Sequence, residues 1–368
     1  MRFDFDEEQV QLRQAARGFL EQHSGSPQVR AAMETSLGYD PAIWARTTRE
    51  LGWTGLTIAP EYDGFGWGCV GLVGLMEEMG RVLFCTPYFS TVCLGANAIS
   101  RAGSPAQRAR WLPRVASGEC TATLAWQAPG GAPEDLGVRA ERRGEEFVLS
   151  GSARYVVDGH SADVLVVVAQ FEGRPGLFLV PGEHPGVTRE ALPTLDLTRK
   201  LAQVDFDQAR LSADRRLEGD ARAIAQVFDV ARVALAAELV GGAERCLEMA
   251  VEYAGQRHQF GRPIGSFQAV KHMCADMLVA VESARSATYY AAWTADHEPE
   301  ALPEAAAIAK AYASEAYFRC AADNIQVHGG IGFTWEHDAH LYFKRAQAGG
   351  VFLGDADWHR ARIADWIL

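Results

Sequence analysis

Long helical patterns dominate the C-terminal third of the chain and constrain its fold more than any other feature. In the first of them, VALAAELVGGAERCLEMAVEYAGQR, apolar residues recur at helical spacing, namely Leu235, Leu239, Ala243, Leu247 and Val251. Two further long patterns follow, FQAVKHMCADMLVAVESARSATYYAAW and PEAAAIAKAYASEAYFRCAADNIQVHG. Helices of this length, apolar over much of their circumference, predict a helix bundle with further burial at a subunit interface.

Two regions with different residue patterns precede these helices. Residues 1–118 indicate helices: Asp6 and Gln9 have capping-box spacing, and SPAQRARWLPRVASGE indicates a short helix stopped by Pro113 and Gly118. Residues 119–213 instead contain short apolar or alternating runs typical of the strands of a small barrel or sandwich: CTATLAW, EEFVLSG, ADVLVVVAQ, GLFLVPG and AQVDFDQ.

We therefore predict an α+β fold of three domains. An N-terminal α-helical domain spans 1–118, a middle β domain 119–221, and a C-terminal four-helix bundle 222–368.

Composition limits the classes of partner. The net charge of −12 argues against nucleic acid and anionic membranes, because both attract basic surfaces. The seven cysteines are dispersed without a CxxC pair, which fits a reducing compartment. The polar N-terminus MRFDFDEEQVQ is unlike a signal peptide, and no apolar run approaches the roughly 20 residues of a membrane span. These features predict a soluble cytoplasmic protein.

Two segments carry candidate ligand chemistry, QRHQFGRPIGSFQAVKH at 256–272 and QVHGGIGFTWEHDAHLYFKRA at 326–346. An arginine at a helix end, Arg257, together with Gln268 one or two turns into the next helix, could hold a phosphate and an adenine edge. The glycines of the second segment would let a ligand approach the backbone closely. The alternative treats Arg257 and Arg262 as surface charges and the glycines as a plain helix cap.

Together these segments resemble the acyl-CoA dehydrogenases, which share the α–β–α order and carry R-x-x-F-G-x-P-I-x-x-F-Q-x-x-K and Q-x-x-G-G-x-G-F stretches at this separation. The resemblance covers essentially the whole chain and includes Lys271 and Asp276. It implies FAD bound at a subunit interface and an acyl-CoA substrate. The residues that it implies for FAD binding, partly to a neighbouring subunit's flavin, are Arg257, Phe260, Gln268, Gln326, Gly329 and Gly330.

The catalytic base of that family is missing from both of its known positions. Family members remove the α-proton of the thioester with a Glu, either about twenty residues beyond the GG motif or just before the first Arg of the first long C-terminal helix. Here Leu353 and Ala231 occupy these positions. A relocated base, Asp355 or Glu238, is the alternative, although each is also typical of a structural role, as a helix-terminal residue or a salt-bridge partner.

The β region has also lost residues that line the flavin and substrate pocket in the family. The T-E-P-x-x-G-S-D segment reads WQAPGGAPEDL here, with Gln127 and Ala128 in place of Thr-Glu. The W-I-T segment reads Tyr155, Val156 and Val157, which keeps an aromatic ring and loses the Thr hydroxyl. Several polar contacts, each worth roughly 1 kcal/mol, would be lost.

This pattern resembles the β chain of heteromeric α2β2 dehydrogenases of actinobacterial type, in which the α chain brings the base and some members act on steroid side chains. We therefore predict an FAD-dependent acyl-CoA dehydrogenase subunit that completes the FAD site of a partner α subunit. A homo-oligomeric flavoenzyme and a flavin-free paralogue are the competing hypotheses. For three histidines we predict structural roles and no metal: His328, His337 and His340.

Overall fold

The computed structural model of the chain describes residues 5–132 and 134–368. Residues 1–4, on which part of the signal-peptide argument rests, and Pro133, within WQAPGGAPEDL, lie outside the described residues. The first part of the chain is helical, as predicted. Its helices are α1 (Glu7–His23), α2 (Ser26–Glu34), α3 (Pro41–Ala45), α4 (Cys69–Arg81), α5 (Asn97–Ala102) and α6 (Pro105–Ala116).

Local capping signals in this region are confirmed, and one stop signal is not. Asp6 accepts a hydrogen bond from the backbone N–H of Gln9 at 2.8 Å, and the Gln9 side chain accepts from the Asp6 N–H, which is the predicted capping box. Pro113, predicted to stop α6, lies inside it. A proline near the C-terminal end removes one hydrogen bond, and the burial of Leu112 and other apolar residues holds the helix to Ala116.

The middle of the chain forms one mixed seven-stranded sheet in the order β1-β4-β2-β3-β7-β6, with β5 also paired to β4. The β1–β4 and β2–β4 pairs are parallel and the rest antiparallel. The five predicted strands are present. The strands β2 and β6 were not predicted, because most of their residues are exposed and form no apolar pattern. The strands are β1 (Ala122–Ala125), β2 (Val138–Arg143), β3 (Glu146–Val157), β4 (Val164–Phe171), β5 (Arg174–Pro181), β6 (Val187–Ala191) and β7 (Leu201–Ser212).

The C-terminal part contains the three long helices that were predicted, followed by two shorter ones. The longest, α7, has 36 residues and begins at Ala221. A short antiparallel pair, β8 (His258–Gln259) and β9 (Arg262–Pro263), connects it to the next helix. The helices are α7 (Ala221–Gln256), α8 (Gln268–His297), α9 (Leu302–His328), α10 (Ala339–Val351) and α11 (Ala356–Ile367).

Two glycines allow α4 and α7 to cross at backbone contact. A Cβ added to Gly80 would lie 2.0 Å from the carbonyl oxygen of Glu238, and one added to Gly241 would lie 1.9 Å from that of Glu77. Any larger residue would force the two helices apart, because protein interiors have no free volume at such contacts. These two close glycine contacts, one on each helix, fix where α4 and α7 cross.

Residue contacts divide the chain into two compact units. The first comprises the described residues up to Arg30 together with Cys69–Phe84 and Arg232–Leu368, and the second comprises Ala31–Gly68 and Cys85–Ala231. The three-domain division at residues 118 and 221 stays a prediction. Among the described residues, no helix is long and apolar enough to cross a membrane.

Candidate functional site

The first candidate motif forms a tight hairpin directly after α7. Arg257 follows the last residue of α7, and its carbonyl oxygen accepts a 2.8 Å hydrogen bond from the N–H of Ile264. Phe260 and Gly261 connect β8 to β9 with φ angles of 54° and 78°. Left-handed backbone is natural for glycine and strained for a bulky residue, and such strain is concentrated at functional sites. Phe260 is 91% exposed, so the hairpin presents its ring outward.

Gln268 differs from its prediction. It was expected one or two turns into the helix after the hairpin, but it is the first residue of α8. The helix therefore begins nearer the hairpin than expected, and its N-terminal N–H groups lie beside the motif. Helix N-termini favour anions, so this placement suits phosphate binding.

The second candidate motif follows α9. Gly329 ends this helix with φ 64° and ψ −139°, a conformation that is essentially restricted to glycine. A Cβ at Gly329 or Gly330 would meet nothing within 4 Å, so the backbone here is open to an approaching group. Gln326 is exposed on the last turn of α9. This geometry fits a ligand that contacts the backbone closely.

An aromatic contact joins the two motifs. The rings of Tyr253, near the end of α7, and His328, the last residue of α9, stack at 4.3 Å with 28° between their planes. The ends of α7 and α9, and the motifs that follow them, therefore lie side by side in the first unit. All six residues predicted to bind FAD are exposed in the isolated chain. Their assignment stays a prediction.

The position of the missing base is a buried turn after α10. Leu353 is 4% exposed and has φ 62°, and Gly354 follows with φ 100°. The carbonyl oxygen of Leu353 accepts hydrogen bonds from Arg232 Nε at 3.3 Å and His359 Nε2 at 3.2 Å. The turn thus places an apolar side chain inside and fixes its strained backbone with donors from α7 and α11.

A fully buried lysine completes this turn. Lys310 Nζ donates to Ser314 Oγ at 2.9 Å and to the carbonyl oxygens of Gly350 and Gly354, each at 3.0 Å. Burial and the positive charge of Arg232 lower the pKa of Lys310 to about 7. Burial, with Lys310 as the next contributor, also lowers the pKa of His359, to about 3.

Sequence reasoning missed this cluster. The available signal was a single lysine in the run EAAAIAKAYAS on α9, where small apolar residues otherwise predominate. Such a lysine, unpaired with any acid at helical spacing on the same face, indicates a buried cation with acceptors elsewhere in the chain.

The two candidate replacement bases both have structural contacts. Asp355 is exposed and caps α11, its Oδ1 accepting a 2.8 Å hydrogen bond from the N–H of Trp358. Glu238 is 6% exposed and pairs with Arg345 at 2.9 Å. Ala231, the other family base position, is fully buried. One carboxylate thus serves as a helix cap and the other as the partner of an arginine, and both contacts indicate structural roles.

In the second unit, the residues matching the W-I-T segment lie at an irregular part of β3. Pairing with β7 shifts between Ala153 and Val156, and Tyr155 within this shift has φ 59° and is 39% exposed. Val157 is buried, and its carbonyl oxygen accepts a 2.6 Å hydrogen bond from Thr123 Oγ1. Gln127 Nε2 donates to the carbonyl oxygen of Gly131 at 3.2 Å. The Val157 side chain therefore belongs to the core of this unit.

The three histidines have structural contacts. The rings of His328 and His337 lie 4.3 Å apart, and His340 stacks on Trp335 at 4.7 Å. Within residues 5–132 and 134–368, no group of three or more His, Cys, Asp or Glu side chains is arranged to hold a metal ion.

Comparison with known proteins identifies the class of enzyme. The N-terminal domain model of the acyl-CoA dehydrogenases matches residues 6–119, and the C-terminal domain model matches residues 218–368. The chain is 34% identical over 350 residues to acyl-CoA dehydrogenase IpdE2 of Mycolicibacterium smegmatis, which covers 95% of both chains. The chain therefore belongs to the acyl-CoA dehydrogenase family of oxidoreductases, which confirms the predicted fold class and the predicted cofactor, FAD.

Solved structures agree over the whole chain. One is the ChsE4-ChsE5 complex of Mycobacterium tuberculosis, with a TM-score of 0.94 and 29% identity, covering 100% of this chain and 99% of that one. Another is a variant of the Tcur3481-Tcur3483 steroid ACAD, with a TM-score of 0.90, 31% identity and 98% coverage of each chain. Both are named as pairs of chains, so heteromeric assemblies are among the structures that this chain resembles.

Proposed function

We propose that this chain is the subunit without a base in a heteromeric acyl-CoA dehydrogenase, and that it completes an FAD site whose partner chain carries the catalytic Glu. One observation carries the proposal: at the base position the chain has a buried Leu353, whose turn is held by Lys310, Arg232 and His359. A leucine cannot accept a proton, and the turn that presents it is fixed rather than disordered. The chain is therefore built with a closed, apolar base position.

The surface motifs support the second half of the proposal. Arg257 provides a planar cation for a phosphate, and the open backbone at Gly329 and Gly330 permits close approach of a flat or charged group. Phe260 offers an exposed ring face, and the amides of two further exposed residues offer donors and acceptors: Gln268 and Gln326. The fit to a dinucleotide on this outer surface is good. When bound, FAD supplies the acceptor for a hydride from the thioester's β-carbon.

The relatives support an assembly of unlike chains. ChsE4-ChsE5 and Tcur3481-Tcur3483 are named as pairs, and the second is named as a steroid ACAD. By this similarity we propose an α2β2 assembly that acts on a bulky acyl-CoA. The partner's Glu removes the α-proton, while this chain's motifs hold and orient the shared cofactor.

The first test is the visible flavin absorbance of the purified chain, measured alone and after co-purification with a Glu-bearing acyl-CoA dehydrogenase chain from the same source. We expect no flavin alone and one flavin for each pair of unlike chains in the complex. Arg257→Ala should release flavin from the complex, and Arg49→Ala, an exposed arginine of the second unit, should not. A full complement of flavin in the chain alone, with acyl-CoA oxidation, would refute the proposal.

A second test separates the shared site from a relocated base. Replacing the partner's Glu with Gln should lower kcat of the complex by about 10²–10⁴-fold. Asp355→Asn in this chain keeps a good helix cap and should leave kcat per bound flavin unchanged. If Asp355→Asn or Glu238→Gln instead abolishes turnover in enzyme that still contains flavin, the base belongs to this chain.

A further inference from the structure

A polar cleft of about 550 Å³ opens in the first unit beside the two candidate FAD motifs. Its walls come from α1, the start of α2, the end of α4, the end of α7, the segment between α9 and α10, and the start of α10. Gln256 and His328, which line it, directly precede Arg257 and Gly329. The lining residues used below are Glu21, Glu252, Tyr253, Gln256, His328 and Glu336.

The arginines of the cleft are already matched by carboxylates. Arg17 makes two hydrogen bonds to Glu78, at 2.8 and 2.9 Å. Arg81 binds Glu248 with both of its terminal nitrogens, at 2.7 and 2.9 Å, and Arg245 binds the same carboxylate at 3.1 Å. These cations are held in place by their partners and leave little positive charge to attract an anion.

Three further carboxylates of the cleft are exposed and have no salt bridge among the described residues: Glu21, Glu252 and Glu336. Glu252 accepts only a neutral hydrogen bond, from Gln256 Nε2 at 3.1 Å. The cleft therefore carries excess negative charge, and a concave surface of one sign favours the opposite charge.

A buried histidine gives an independent indication of a ligand. His328 is 6% exposed, and its Nδ1 hydrogen-bonds to the carbonyl oxygen of Asn324 at 2.8 Å. A carbonyl oxygen only accepts, so Nδ1 is the donor in that bond and Nε2 is the ring nitrogen that can accept one. The stack with Tyr253 fixes the ring plane. Nε2 has no hydrogen-bond partner among the described residues, and His328 lines the cleft, so this nitrogen of an otherwise buried ring is open to it.

Exposed apolar residues on the segment that follows His328 indicate a protein partner rather than a small cation. Ile331 is 47% exposed, Phe333 82% and Trp335 54%, and Trp335 directly precedes the cleft residue Glu336. Large apolar side chains beside a charged pocket are typical of interfaces in which an arginine is a hot spot.

We propose that this cleft receives a basic segment of the partner subunit, with an arginine directed to the carboxylates and to His328 Nε2. The inference rests on the proposed function, because the occupant belongs to the assembly that shares the FAD site. A cleft of this volume is too large for one side chain, so the occupant is a short segment. Its guanidinium would balance the excess negative charge and donate a hydrogen bond to Nε2.

The test uses the complex of this chain with its co-purified partner. Glu21→Gln, Glu252→Gln and Glu336→Gln are made singly and together, and the dissociation constant is measured by sedimentation at low and high NaCl. We expect about two- to fivefold weaker association for each single change, and a triple variant whose affinity depends less on salt. His328→Phe, which keeps a ring for the Tyr253 stack, should also weaken association.

The matched control is Glu304→Gln, an exposed glutamate in the first turn of α9, about 36 Å along the helix from His328. It should bind the partner with unchanged affinity. If the triple variant associates with the affinity and salt dependence of the unaltered chain while flavin is still shared, the cleft does not bind the partner's basic segment. The proposed function would then stand. If the unaltered chain associates with no Glu-bearing partner, both proposals are wrong.

Discussion

Replacing Lys310 with methionine tests the buried turn at the base position. Methionine matches the lysine stem in length but removes the charge and the donors to Gly350, Gly354 and Ser314. The folded-state pKa is lowered to about 7, whereas that of an unfolded lysine is about 10.4. Between these values the unfolded chain binds a proton that the folded chain has released, so the stability of the unaltered chain rises with pH.

The size of the effect follows from the linkage. One titrating group contributes about 1.4 kcal/mol for each pH unit, so from pH 7.5 to 9 the unaltered chain gains about 2 kcal/mol that Lys310→Met does not. For a chain of this size that corresponds to about 3 °C in Tm. The methionine variant also leaves two buried carbonyl groups without donors, which costs about 1–3 kcal/mol each.

The assay is the difference in Tm between the unaltered chain and Lys310→Met at several pH values. Subtracting the two curves removes the contribution of the other titrating groups. Lys271→Met is the control, because Lys271 is an exposed lysine of α8 and the same change there should give no pH-dependent difference. A Tm difference for Lys310→Met that stays constant or narrows as pH rises would refute the lowered pKa.

Three further predictions concern named backbone and capping positions. Gly241→Ala places a Cβ 1.9 Å from the carbonyl oxygen of Glu77 and should destabilise the chain by more than about 3 kcal/mol. Gly255→Ala, in the same helix and with nothing within 4 Å of the added Cβ, should stabilise the chain by about 0.5–1 kcal/mol. The Tm of each variant checks these two expectations. Gly329→Ala should cost about 1–3 kcal/mol, through backbone strain alone, and should lower the flavin content of the complex, read by absorbance. Asp355→Ala should lower Tm by removing a cap worth about 1 kcal/mol, without the thousandfold loss of turnover that a base would show.

Local signals predicted much of the fold correctly. Helical periodicity located α7, α8 and α9, and the Asp6 capping box was confirmed, because both depend on residues within one or two turns of one another. The strands β2 and β6 were missed because most of their residues are exposed and form no apolar pattern, and their extended conformation depends on pairing with β3 and β7. Helix α6 continues past Pro113 because tertiary burial of its apolar face outweighs one lost hydrogen bond.

Part of the candidate site was also predictable from local sequence, and part of it was not. Three features of the sequence were sufficient to indicate the family and the missing Glu: the R-x-x-F-G segment, the Q-x-x-G-G segment and the leucine at the base position. The sequence gives no indication that Lys310, Arg232 and His359, which are far apart along the chain, converge on one turn.

The order of helices and strands, the family motifs and the empty base positions are properties of contiguous residues, so the amino-acid sequence determined them. Other features join segments from tens to more than a hundred residues apart: the Tyr253–His328 contact, the close contacts at Gly80 and Gly241, and the hydrogen bonds from Arg232 and Lys310 to the Leu353 turn. Only packing decides such contacts, because periodicity specifies which face of a helix is buried and does not specify which other segment will cover it.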